Sequence, residues 1–140
     1  MNMMFNKLAS VVSAVLLAAS VYAGQDQMCP DINDIKAEGM SMAEKITNNL
    51  FFSYNISAYN TKNNWGFVIA PIEEESEEKA IKFANKTLEG MNAPGTPEDN
   101  DDNEIVCLYN TGHQNLVAAA INAEHMISPS KLKQYIQKAR

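Results

Sequence analysis

Leu50 to Asn60 (LFFSYNISAYN) and Trp65 to Ala70 (WGFVIA) decide the fold. In the first stretch Phe52, Tyr54, Ile56 and Ala58 recur with period two, and Phe51, Ser53, Asn55 and Ser57 face the other way. That alternation is a β-strand, not a helix. In the second stretch Trp65, Phe67 and Ile69 share a face, and Pro71 is expected to end the strand. The polar run Thr61-Lys62-Asn63-Asn64 between them makes a turn, so the pair reads as an antiparallel hairpin.

Outward from the hairpin, Ser76 to Met91 (SEEKAIKFANKTLEGM) is the best helix. Ala80, Ile81, Ala84, Leu88 and Met91 form one stripe, Ser76 caps, and Glu77 and Glu78 suit the positive helix end. Gly90 marks its end. Asn92 to Asn103 (NAPGTPEDNDDN) reads as a loop. Glu104 to Asn110 (EIVCLYN) is a third strand with Ile105, Cys107 and Tyr109 on one face. Thr111 to Asn115 turns, and Leu116 to Ala123 is a fourth strand or a small-residue helix, with the close turn favouring a hairpin. Before the hairpin, Asp31 caps a short helix that stops at Gly39. Ser41 to Thr47 fits either a capped helix or a strand, and Asn48-Asn49 is a turn. Ser128 to Arg140 is a closing helix, with Ser130 as cap and Leu132, Tyr135 and Ile136 as its apolar stripe. The expectation is α+β: a mostly antiparallel sheet of about four strands packed against one central helix, with short N-terminal and C-terminal helices.

The first 23 residues read differently. Lys7 precedes an apolar run from Leu8 to Ala19, and Val21-Tyr22-Ala23 offers small or modest side chains before Gly24. This is the order of a secretory signal peptide. The run is shorter than the roughly 20 apolar residues that span a bilayer. An uncleaved anchor is the competing reading. Residues 1–23 are thus expected to be removed, leaving 24–140 as one exported domain, secreted or periplasmic. Asp26-Gln27-Met28 before Cys29 is not a lipoprotein box.

Charge and cysteines narrow the class further. Loss of Lys7 with the leader moves the formal net charge from −6 to −7. An acidic domain repels nucleic-acid phosphates and anionic lipid, so neither nucleic acid nor membrane insertion after cleavage is expected. Cys29 and Cys107 are the two cysteines. In an oxidising compartment they are expected to pair. A redox pair or metal site is the alternative, but there is no C-x-x-C and no His near Cys29.

No catalytic signature is present: G-x-S-x-G, H-E-x-x-H and C-x-x-C-H are all missing, so the domain is read as non-enzymatic. The two histidines, His113 and His125, are surface residues or iron ligands. Asp99, Asp101 and Asn103 match the first ligand places of a calcium loop. Glu104 replaces its Gly and Asn110 its closing acid, so a solvated loop fits better. Cys29-Pro30 is a haem-responsive dipeptide whose thiolate a disulfide would remove. Tyr54 and Tyr59 are five apart and fall on opposite faces of a regular strand, so they read as core or edge residues. Met28, Met40, Met42, Met91 and Met126 read as core fillers.

Taken together, the leader, CPDINDIKAEGMSMAEKI, LFFSYNISAYNTKNNWGFVIAPI, AIKFANKTLEGM and the lone Cys of EIVCLY resemble a largely uncharacterised family. These are small secreted proteins of intracellular bacterial pathogens, one of which is called the hemin-binding protein. The resemblance implies export, and hemin binding by some member in iron acquisition and virulence. It hands over no ligand residues. Haem needs an apolar slot and axial ligands from His, Tyr, Met or Cys, and its propionates want a Lys such as Lys62 or Lys131. His113, in a Gly-containing turn between two strands, is the first candidate for the iron, and Tyr109 the second. The alternative partner is a host or envelope protein met through an exposed face of the sheet.

Overall fold

The computed structural model describes residues 29–99 and 105–123. The expected signal peptide, the C-terminal helix, His125, Lys131, Met28, Met126 and Asp101 to Glu104 lie outside the described residues. Helix α1 (Ile32–Glu38) is followed by strands β1 (Met42–Thr47), β2 (Leu50–Ser57) and β3 (Trp65–Glu73). Helix α2 (Glu77–Glu89) comes next, then β4 (Thr96–Asp99), β5 (Ile105–Tyr109) and β6 (Val117–Asn122). All strand pairs are antiparallel, in the order β1-β2-β3-β6-β5-β4. The α+β class and antiparallel sheet are as expected. The sheet has six strands, not about four.

The two extra strands are the two edges of the sheet. The open segment at Ser41 to Thr47 is β1, with Ala43 buried and Glu44 opposite Phe52. The loop assigned to Asn92 to Asn103 contains β4, all of whose residues are exposed. Its Pro97 pairs with Cys107 at the sheet edge, where a missing N–H is tolerated. Leu116 to Ala123 resolves to a strand, β6.

Pro71 does not end β3. Phe51 pairs with Ile72 and Ser53 with Ile69, so Phe52 faces two residues, Ala70 and Pro71. That is a β-bulge, which accommodates a residue without an N–H. It also resets the alternation, so that Ile69 and Ile72 both pack on the helical side.

The helices cover one face of the sheet. Phe51, Phe67, Ile69, Ile72 and Cys107 pack there with Ile32 and Ile35 of α1 and Ala80, Ala84 and Leu88 of α2. Phe67 pairs with Ala120, and Ile69 with Ala118, so large side chains lie beside small ones. The space admits the Tyr109 ring edge-on to Phe67, with centroids 5.4 Å apart. Ser76 accepts from the Lys79 N–H at 3.2 Å and starts α2. Asn85 of α2 grips the Met40 backbone twice: its Oδ1 accepts from Met40 N at 2.8 Å, and its Nδ2 donates to Met40 O at 3.1 Å. The other face carries a smaller apolar group of Phe52, Val68, Ala70, Ala119 and Ile121, to which neither helix contributes.

Cys29 and Cys107 are joined in a disulfide with Cα atoms 5.7 Å apart. It ties the segment before α1 to β5 across a sequence separation of 78. Closing such a loop contributes about 4 kcal/mol by restricting the unfolded chain. Cys107→Ser is therefore expected to lower the melting temperature strongly relative to the oxidised protein. Thermal melts with and without reductant check this: reductant should shift the wild type and leave the variant unchanged.

Candidate functional site

A cavity lies where the disulfide anchors the chain. Its volume is about 660 Å³, and its walls come from Cys29 to Asp34, Tyr59 to Thr61, and Asn92 to Pro97. Three segments from distant parts of the sequence thus meet in one cleft: the start of α1 with the residues before it, the turn after β2, and the run into β4. Each is fixed by a different interaction.

The first wall is the N-terminal segment. Behind the disulfide, the buried Tyr109 hydroxyl donates to Pro30 O at 2.5 Å. Asp31 caps α1, its Oδ1 accepting from Asn33 N at 2.8 Å. Tyr109 also sets the third wall. A Cβ on Gly95 would come within 2.6 Å of its ring, so only glycine lets the 92–97 segment approach this closely.

The second wall follows β2. Tyr59 and Asn60 both adopt left-handed backbone, with φ of 46° and 59°. Two consecutive non-glycine residues in that region store strain that the surroundings must offset. Asn60 Nδ2 donates to Asp34 Oδ1 at 2.8 Å, linking this wall to α1. Tyr59 is 2% exposed, and its hydroxyl lies 3.3 Å from Asn55 O. Thr61 Oγ1 accepts from Trp65 Nε1 at 3.1 Å, which braces the turn onto β3. At the opposite rim Lys36 Nζ donates to Asn92 Oδ1 at 3.0 Å.

The charged side chains lining the cleft are Asp31 and Asp34, both acids. The remaining lining is mostly Asn, Thr, Pro and backbone. Both cysteines are consumed by the disulfide, so the Cys29 thiolate is not available as an iron ligand. Among the described residues no three His, Cys, Asp or Glu side chains converge into a metal-sized group. No described helix is long and apolar enough to cross a membrane.

His113 and Tyr109, distinct in role, do come together. Both line a shallow depression of about 220 Å³ between the ends of β5 and β6, with Leu108, Leu116 and Val117. His113 is exposed. Thr111 Oγ1 accepts from the His113 N–H at 3.1 Å, and Gly112 supplies a φ of 81° in the same turn. Tyr109 is buried, its hydroxyl held by Pro30. Iron ligation by Tyr109 would first have to break that bond. Tyr54 is half-buried on β2 and stacks obliquely on Phe52 at 5.6 Å. Tyr59 lies beyond the end of β2, so the two tyrosines do not share a strand face. Met40 and Met91 are core residues, whereas Met42 is 37% exposed.

Residues 28–135 match the model of a family described as a domain of unknown function, DUF4949. The chain belongs to that family. No curated protein and no solved structure matches it. The cleft is therefore read from its own chemistry. Sequence reasoning placed Asp31 correctly as a helix cap, put Tyr59 in a strand that in fact ends at Ser57, and missed the cleft. The available signal was the amide-rich AYNTKNN turn facing a disulfide-anchored CPD segment.

Burial raises the Tyr59 phenol from 10.0 to about 12, with Asn55 opposing and the Glu38 charge adding. Burial raises Tyr109 as well, helped by the negative charge of Asp31 and by Tyr59. Both phenols favour the neutral form in the folded state. The contribution of Tyr59 to stability is thus full below pH 10 and is lost as the pH rises through about 12, and that of Tyr109 is lost at higher pH still. Denaturant midpoints should fall over that window and fall less in Tyr59→Phe. Tyrosinate absorbance should show Tyr59 and Tyr109 ionising later than a free phenol.

Proposed function

We propose that this protein is an exported, non-enzymatic binding protein whose ligand occupies the cleft between Pro30, Asn60 and Pro94. The cleft carries this reading. Its volume of about 660 Å³ falls within the roughly 300–1,000 Å³ of small-molecule sites. A disulfide, a buried tyrosine and a left-handed turn preorganise it, which reduces the ordering cost of binding. No nucleophile stands beside a base in its lining. The disulfide fits an oxidising compartment.

The lining also selects the ligand's charge. Asp31 Oδ1 and Asp34 Oδ1 are used within the protein, and each carboxylate has a second oxygen to offer. The cleft therefore favours uncharged or cationic molecules rich in N–H or O–H donors and disfavours anions. Glucosamine and gluconate are probes of similar size and opposite charge. Millimolar glucosamine is expected to shift the amide resonances of Asn33, Asn60 and Thr61, more weakly in Asp34→Asn. Equal shifts with gluconate, or none with glucosamine, would overturn the assignment.

A second reading rests on His113. Its exposed imidazole sits at the rim of the β5–β6 depression, where iron could approach from solvent. At about 220 Å³ that depression is too small to enclose a porphyrin. Hemin would lie against the surface with His113 as axial ligand, its propionates facing outward. A saturating Soret shift at one equivalent of hemin is expected on this reading. It should be lost in His113→Ala and retained in His125→Ala and Asp101→Ala. Unchanged spectra in His113→Ala would remove the assignment.

A further inference from the structure

The two sulfurs of the Cys29–Cys107 bond sit in different surroundings. Cys107, in the middle of β5, is 0% exposed. Cys29 is half-buried and lines the cleft beside Asp31 and Asp34. We propose that the cleft admits small thiols to this bond: an incoming thiolate attacks Cys29 Sγ, and opening of the bond releases α1 and the cleft's first wall while the sheet stays folded. The proposal goes beyond the ligand reading, since neither step needs a bound ligand.

Three observations carry it. First, access is one-sided. Thiol–disulfide exchange runs through a mixed disulfide, and access decides which sulfur is attacked. The displacement is in line, so the attacking thiolate approaches from the side opposite the leaving sulfur. Cys107 is the sulfur on the core side, so that approach runs inward from solvent to Cys29, which borders a cleft of about 660 Å³. A new sulfur–sulfur bond joins the thiol to Cys29, the bond to Cys107 breaks, and Cys107 leaves as a thiolate that takes up a proton. A second thiol then displaces Cys29 from the mixed disulfide in the same way. In total two thiols are oxidised to one disulfide, and the protein's disulfide is reduced by two electrons to two thiols.

Second, the cleft sorts thiols by charge. Asp31 and Asp34 are its charged lining. Their carboxylates repel an anionic thiol and favour one that carries an ammonium group. Third, what the bond holds is local. Helix α1 has seven residues, too few to be stable alone. With Cys29 let go, its ties are the Tyr109–Pro30 hydrogen bond, the Asn60–Asp34 contact and the packing of Ile32 and Ile35. By contrast β5 stays paired on both sides, with β4 and β6. Helix α2 keeps its Ser76 cap and the grip of Asn85 on Met40. The parts that lose order are therefore the first wall and, through Asp34, the hold on Asn60 in the second.

Exchange kinetics on the oxidised protein, well below its melting temperature, test this. Cysteamine, 2-mercaptoethanol and 3-mercaptopropionate are compared, with acid quenching and mapping of the mixed disulfide by mass spectrometry. Each rate is divided by that thiol's rate on a small neutral disulfide, which removes differences in pKa and intrinsic nucleophilicity. The adduct is expected on Cys29, at a rate proportional to thiol concentration. At low salt the normalised rate of cysteamine should exceed that of 3-mercaptopropionate by roughly threefold or more, and Asp31→Asn/Asp34→Asn should remove most of that ratio. In the fully reduced protein, amide exchange from Ile32 to Glu38 should rise by roughly tenfold or more, while Val68 and Ala119 keep their protection. Adducts on Cys107, a rate independent of thiol concentration, or the same charge ratio with and without the two acids would overturn the proposal. So would global unfolding on reduction, or unchanged exchange in α1. None of these readouts uses glucosamine, so the ligand reading can fail without touching this result.

Discussion

The disulfide between Cys29 and Cys107 is the constraint on which the rest of the molecule depends. The segment Cys29 to Asp31 has no strand partner and precedes a helix of only seven residues. Such a helix is too short to be stable alone. Its two buried isoleucines, Ile32 and Ile35, reach the core only because the chain before them is pinned to β5. Tyr109 completes the same clamp two residues along β5, its hydroxyl on the Pro30 carbonyl. A covalent bond and a buried hydrogen bond thus act on adjacent residues of one segment. The entropy of positioning that wall is removed once, by the fold, and not again when a ligand arrives.

The clamp explains features that look unrelated. Gly95 must be glycine because the Tyr109 ring occupies the space beyond it. Asn60 holds left-handed backbone while its side chain reaches Asp34, which α1 presents. Asp34 is positioned because α1 is. Each wall of the cleft therefore leans on the N-terminal segment, and no wall is a freely hinged loop. The arrangement favours a preformed site over one assembled by the ligand.

Much of this fold is legible in the residues. The alternation in LFFSYNISAYN, the stripe in SEEKAIKFANKTLEGM and the caps Asp31 and Ser76 are local signals, and the chain obeys them except that the strand ends at Ser57 and gives way to a left-handed turn at Tyr59 and Asn60. What escaped local reading depends on partners distant in sequence. β4 is four residues of Thr, Pro, Glu and Asp, with no hydrophobic pattern, and exists because β5 offers an edge. Pro71 looked like a stop, but the bulge opposite Phe52 removes the demand for its N–H. The cleft is the extreme case. Its walls are separated by tens of residues, and polar turns carry no periodicity to announce that they meet. His113 illustrates the converse: its Gly-containing turn was readable, yet the depression it borders is set by how β5 and β6 end.

The alanines of β6 link these points. Ala118 and Ala120 face the helices, leaving room for Ile69, Phe67 and the Tyr109 ring, while Ala119 faces the other way. A strand of larger residues would fill both sides and push Tyr109 away from Pro30. Small side chains in one interior strand therefore serve two surfaces at once. On one side they let the aromatic clamp close, and on the other Ala119 packs in the group of Phe52, Val68, Ala70 and Ile121. Enlarging Ala120 would crowd the Phe67–Tyr109 pair, strain the hydroxyl's reach to Pro30 and so disturb the cleft from behind, without touching any residue that lines it.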